Sequence, residues 1–372
     1  MIKAIDKWGY PFLKNILTKP SPKGEIHVMI ALCDHFEPLS PNASKSIKQG
    51  EERVQRWLDQ WPTIASGIKD SDGCEPKHTI FYPAEEAERP DHFIPKIKPI
   101  VDSGYAEVEI HLHHDNDTAD GLTATLEGFR DYLSQEQLLG LDEQGNAKYG
   151  FIHGNWALCN SRPDGRHCGV NEEIEILLKT GCYADFTFPS LPSPTQPKNF
   201  CNNIYFAKNI SGRPRSHDHG RLAKVGIETR PEELLLFQGP VALNWSWRKW
   251  GVIPRIEHAD LCGTNPPSPQ RADLWIRKGI HVARNPNWIF VKLHTHGCLE
   301  SNMKALLNGK WEETLTYLQN LQEENPEVSI HFVSAREMYN ISQAAIYGHK
   351  DNPGNHRDFK ISKPLLHNRL EK

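Results

Sequence analysis

The chain has 372 residues, 38% apolar and 24% charged, with a formal net charge of −4. That composition excludes a disordered chain and a membrane protein, and the charge argues against a nucleic-acid partner bound through its phosphates. The apolar run at 28–33 is far too short to span a bilayer. Histidine is the unusual residue, 19 in all, with seven of them grouped at 111–114, 217–219 and 294–296, where metal and proton chemistry is to be sought. The eight cysteines include no C-x-x-C pair, and a chain of this length needs no disulfide staples. They read as reduced thiols of a cytoplasmic protein. The N-terminal stretch 1–24 lacks the continuous apolar segment and small-residue cleavage site of a signal peptide.

Strand-like and helix-like segments alternate along most of the chain. Residues 26–33 (IHVMIALC) form a mostly apolar strand of the buried kind and 78–82 (HTIFY) a second. Residues 94–101 carry apolar residues at helical spacing, with Pro95 and Pro99 against them. Residues 107–113 (EVEIHLH) form the third strand. Asp117 is placed to N-cap a helix whose apolar face holds Leu122, Leu126, Phe129 and Leu133. Next come strand 149–153, helix 172–179 and strand 183–188. Regularity fails over about 190–238 and resumes with strand 241–246, a helix capped by Ser268-Pro269 and strand 288–293. A two-part helix at 300–324, strand 329–333 and a helix from Ala335 follow.

About eight strands, most joined by helices and without a G-x-G-x-x-G or Walker loop, predict an α/β fold: a distorted (β/α)7-8 barrel with a long insertion. Residues 1–348 would form one domain, with the insertion at about 190–285 and a polar tail at 349–372. The insertion's amides, hydroxyls, Arg and His suit a loop that covers part of the barrel mouth and sets substrate choice.

Polar residues gather where the strands end, the face that carries active sites in parallel α/β folds. Asp34 and His35 follow the first strand, and His111, His113, His114 and Asp115 the third. His153, Asn155 and Trp156 follow the fourth, and His294 and His296 the penultimate one. Imidazoles at several strand ends, beside carboxylates, point to a divalent metal. Trp156, Trp245, Trp247 and Trp250 lie at or after strand ends, where flat rings can stack on a sugar.

The order of these pieces resembles the polysaccharide deacetylase superfamily, with its NodB-like β/α barrel. ALCDHFEP stands at the place of a first strand ending in two acidic residues, and HTIFYP resembles the second strand. IVDSGYAEVEIHLHHD resembles a helix ending in Asp-Ser-Gly and then a strand with paired histidines. FVKLH and HFVSARE resemble the late motifs. The likeness covers about 25–155 and 285–345.

The resemblance implies metal-dependent removal of N- or O-acyl groups from a sugar or polysaccharide. Asp34 would be the base and His294, titrating near neutral pH, the acid. His35, His111, His113 and Asp115 would hold the metal, a zinc ion, and His153, Asn155, Trp156 and His296 would meet the carbohydrate. The chain departs from the family in two places. His35 and Asp115 exchange the family's aspartate and histidine, and FIHGNWAL replaces its Arg-x-Pro motif. Two other readings stay open. One is a glycoside hydrolase using Asp34 with Asp115 or Asp185; the other is a catalytically silent carbohydrate-binding protein.

Overall fold

A computed structural model describes residues 4–39, 46–87 and 93–364. The chain runs α1 (Ile5–Thr18), β1 (Ile26–His35), α2 (Ile47–Ala65), β2 (His78–Pro83), α3 (Ala84–Ala87), α4 (Ile94–Asp102) and β3 (Ala106–Leu112). It continues through α5 (Ala119–Gln135), β4 (Gly140–Leu141), β5 (Ala147–His153), α6 (Glu173–Lys179), β6 (Cys182–Asp185), β7 (Ile204–Lys208), β8 (Gly220–Leu222) and β9 (Glu233–Phe237). Then come β10 (Ala242–Lys249), β11 (Ile253–Glu257), α7 (Pro269–Lys278), β12 (Trp288–Thr295), α8 (Glu300–Leu307), α9 (Lys310–Glu324), β13 (Val328–Phe332) and α10 (Ala335–Tyr347).

β1 is the hub. It lies parallel to β12 along nearly its whole length and, on its other side, to β13 over its first half and β2 over its second. From β2 the parallel order continues through β3, β5, β6 and β9, after which β7 and β8 add antiparallel. Strands covered on both faces read as unbroken apolar runs, and β1 is buried from Val28 to His35. A closed barrel is not shown. Outside the named pairings, isolated bridges join Asp260 to His294 of β12 and Lys224 to Ala283.

One face of the sheet, with Val28, Ile30, Leu32, Ile80 and Ile110, packs under Trp57 and Trp61 of α2, Ile97 of α4, Leu126 of α5 and Leu315 of α9. The other, with Met29, Ala31, Cys33, Phe81 and Phe290, packs against Met338, Ile341 and Ala345 of α10. In a regular barrel, strand side chains alone fill that inner face. Ser334 caps α10 in a capping box with Glu337, and Gly348 ends it at φ 90°. α4 forms despite its prolines because Pro95 sits in the first turn, where no N–H partner is needed, while Ile94, Ile97, Ile100 and Val101 are buried.

Four expectations change. Thr118, not Asp117, caps α5 by accepting the Gly121 N–H at 3.1 Å, while Asp117 binds His114. Residues 190–238, read as an irregular insertion with strand-like pieces at NNIYFA and ELLLFQ, contribute β7, β8 and β9 to the main sheet. The strand near 241–246 belongs instead to a separate β10–β11 hairpin, its outer half exposed. The segment after His349 docks on the body, since Asn340 Nδ2 donates to Ile361 O at 2.7 Å and Ser362 bridges Leu141. The tail's last eight residues, 365–372, lie outside the described residues. All eight cysteines are unpaired. No helix among the described residues is long and apolar enough to cross a membrane.

Candidate metal centre

Successive side chains of a strand point to opposite faces, and the end of β1 divides its polar residues accordingly. Asp34 takes the α2 face, where Oδ1 accepts the Gly297 N–H at 2.6 Å and Oδ2 lies 2.9 Å from His78 Nε2. Trp57 covers the pair, its Nε1–H donated to Gly297 O at 3.1 Å. His35 takes the other face with Cys33, and so does His294, which is in register with Cys33 across β1 and β12. Asp34 and His294 are therefore not brought together as a base–acid pair.

On the His35 face, imidazoles gather around one carboxylate. The His35 ring lies 4.8 Å from that of His111 and 4.5 Å from that of His296. Glu37 Oε1 lies 3.0 Å from His111 Nε2 and 3.4 Å from His113 Nε2. Donor atoms of His35, Glu37 and His296 fall within 4.8 Å of one another, as do those of Glu37, His111 and His113. Glu37 links the two sets.

The hydrogen bonds behind these groups fix their protons. His111 Nδ1 donates to Ile152 O at 2.8 Å, since a carbonyl only accepts. His111 Nε2 thus presents a lone pair to Glu37, an arrangement that calls for a cation or a second proton. His35 Nε2 is buried without a hydrogen-bond partner. Burial, then the imidazoles of His296, His111 and His294 and the Lys292 ammonium, hold the His35 pKa well below its ordinary value, which leaves a neutral ring fit to ligate. Burial would raise the Glu37 pKa, but contact with His111, then the charges of His111, His296 and His113, outweigh it and bring it to about 2. Imidazole nitrogens with one carboxylate are a donor set that zinc accepts.

His113 stands at the rim, its side chain 34% exposed. Its Nδ1 is 2.6 Å from Glu85 Oε1, and its backbone N–H donates to Glu85 Oε2 at 3.2 Å. Behind the ring, a Cβ on Gly154 would come within 2.3 Å of His113 Cδ2, so this turn admits only glycine.

Other expected site residues move. Asp115 is exposed and accepts the His167 N–H at 2.6 Å, bracing a loop instead of reaching a metal. His153 is fully buried on the opposite face from Ile152, 2.8 Å from His114 Nε2, and cannot touch a substrate. His296 joins the donor set with His35 and Glu37. Asn155 is exposed and Trp156 half-buried, in consecutive left-handed conformations at φ 53° and 55°. His294 is buried; burial, then Lys292, His258, His296 and Arg271, push its pKa well down. It is neutral at pH 7 and is no imidazolium acid. Glu37, Glu85 and His258 were missed. Glu37 lies two residues past His35, a spacing that alternation could have flagged.

A cavity of about 400 Å³ is lined by Trp247, Lys249, Ile253, Arg255 and His258, among others. The His258 ring lies 6.3 Å from that of His294, which is 6.2 Å from that of His35. The wall of this cavity is anchored by a buried fork: Arg271 donates to both oxygens of Glu257 at 2.7 Å. The Trp247 ring faces outward, with the Arg255 guanidinium 4.2 Å from its centroid.

No protein-family model matches the chain, and no match to it is found among curated proteins.

Proposed function

We propose that this protein is a metal-dependent hydrolase that removes acyl groups from a sugar. The observation that carries this reading is the meeting of two donor triads on Glu37, His35 and His296 in one and His111 and His113 in the other, at the C-terminal ends of parallel strands, with the His111 tautomer set by Ile152. A divalent ion held there, zinc by its donors, would polarise an acyl carbonyl and lower the pKa of a bound water.

The remaining chemistry belongs to side chains. Glu85 holds His113 by Nδ1 and leaves Nε2, at the edge of the donor set, to take the proton of the attacking water. The same Nε2–H then delivers the proton to the leaving amine or alkoxide. The rings of His294 and His258 lie in sequence between His35 and the cavity lined by Trp247, whose flat ring and neighbouring cations suit a hydroxyl-rich ring. The glycoside hydrolase reading loses support, because Asp34 is engaged under α2 and Asp115 braces a loop. Unpaired cysteines fit a reducing compartment such as the cytoplasm.

The test is acetate release from N-acetylated chito-oligosaccharides and O-acetylated xylo-oligosaccharides. Release that stops on chelation and returns with zinc is the expected result. No release from either class by metal-loaded protein, or cleavage of the chain instead, would overturn the proposal.

A further inference from the structure

We propose that a second metal ion, of zinc type, is held by His114, His153, Cys168 and Glu173, behind the sheet from the His35 centre. The four residues come from the loop after β3, the end of β5, the loop before α6 and the first turn of α6. Their donor atoms all lie within 4.8 Å of one another, and His153, Cys168 and Glu173 are fully buried.

The argument begins with where the protons are. His114 Nδ1 lies 2.9 Å from Asp117 Oδ2, and His153 Nδ1 lies 2.5 Å from Gly154 O. A carboxylate and a carbonyl accept, so both Nδ1 atoms carry hydrogen. The two Nε2 atoms then meet at 2.8 Å with lone pair against lone pair. Glu173 Oε1 closes the triangle at 3.3 Å from His153 Nε2 and 3.5 Å from His114 Nε2, and it makes no hydrogen bond. The other oxygen, Oε2, is occupied by the Cys159 N–H at 2.5 Å. Cys168 Sγ receives the backbone N–H groups of Asn160 at 3.3 Å and Val170 at 3.4 Å, and as a thiol it also reaches Val170 O at 3.4 Å and Glu173 Oε2 at 3.6 Å; an ion would take the place of that S–H hydrogen.

Two imidazole nitrogens, a carboxylate oxygen and a sulfur thus converge, and with neutral rings no hydrogen lies between the two Nε2 atoms and Glu173 Oε1. A proton shared by the two rings would account for their contact alone. It would leave Glu173 Oε1 without a hydrogen bond. A tetrahedral zinc ion with bonds of about 2.0–2.3 Å places its donors roughly 3.3–3.8 Å apart; Glu173 Oε1 already lies 3.3 and 3.5 Å from the two imidazole nitrogens, which would part from 2.8 Å to admit the ion. Four protein ligands make a closed, structural site, and Asp117 and Gly154 O orient the imidazoles from behind, as outer partners of metal-bound histidines do.

Such an ion would tie the 113–118 loop and the 154–160 turn to α6. His113 precedes one ligand and packs on the glycine that follows another, so the second site would also set the position of His113. The inference stands on its own donors and is independent of the His35 centre.

Cobalt(II) is the probe. Titrated into chelator-stripped, reduced protein, it should produce a near-ultraviolet thiolate-to-cobalt charge-transfer band whose final amplitude corresponds to one thiolate-bound cobalt per chain. The His35 donor set contains no sulfur, and Cys168 is the one cysteine in such a cluster among the described residues. The band should vanish in Cys168→Ser and persist in Glu37→Gln. Cobalt bound without the band, or a full band in Cys168→Ser, would overturn the proposal. Should Cys168→Ser fail to fold, X-ray absorption of the zinc-loaded native protein decides: a sulfur ligand at about 2.3 Å supports the site, and an all-nitrogen-and-oxygen shell refutes it.

Discussion

Glu37 Oε1 lies 3.0 Å from His111 Nε2, which as a neutral ring has no hydrogen to give it, because His111 Nδ1–H is spent on Ile152 O. Two acceptors in contact, both buried, are stable only with positive charge between or beside them. Under the proposed function that charge is the catalytic ion. Glu37→Gln keeps the shape and removes the anion, so it should weaken metal binding by at least the ~10–100-fold typical of losing an outer partner. Competition with a chelating dye measures this, and unchanged affinity would remove Glu37 from the donor set.

Asp34 has a structural part. Its two bonds hold the 296–298 turn and His78 beneath Trp57. Asp34→Asn should lower unfolding free energy by about 1–3 kcal/mol while turnover of the folded protein stays within tenfold. A loss of roughly two to four orders of magnitude, the worth of a general base, would restore the role expected from its sequence position.

Trp247 is 43% exposed and lines the cavity beyond His258. Trp247→Ala should leave stability unchanged and raise KM about tenfold, the equivalent of ~1.4 kcal/mol of stacking, with kcat preserved. A fall in kcat at constant KM would separate this wall from substrate binding.

Glu109 supplies a pH signature outside both donor clusters. It is buried and accepts from the Gly150 N–H and the Tyr183 O–H, yet burial outweighs these bonds and raises its pKa from 4.5 to about 8. The folded state then binds more protons than the unfolded one between pH 4.5 and 8, so this group's contribution to stability falls as pH rises through that window. The slope is at most about 1.4 kcal/mol per pH unit for one proton. Urea midpoints across this range should show less decline in Glu109→Gln than in the native protein; identical slopes would contradict the assignment.

Periodicity and end signals made most of the architecture legible. The apolar run at 26–33, the i, i+4 face of α5 and the Ser268-Pro269 start of α7 all appear where their residues predict. The sheet's second half was legible only as strand-like pieces at NNIYFA and ELLLFQ; their order, β9 parallel to β6 and then β7 and β8 antiparallel, depends on long-range packing. The gathering of His35, His111 and His296 followed from strand ends and alternation. The same rule, applied one residue further, would have turned Asp34 away and brought Glu37 in. Cys168 and Glu173 carry no local signal, since they meet His114 and His153 only after α6 folds onto β5.

The most direct measurement is anomalous diffraction at the zinc edge from crystals of the zinc-loaded protein. The account predicts a peak about 2.0–2.2 Å from Glu37 Oε1 and from at least two imidazole nitrogens among His35, His111 and His296. Zinc-loaded crystals with no peak among these four residues would contradict the proposed catalytic centre.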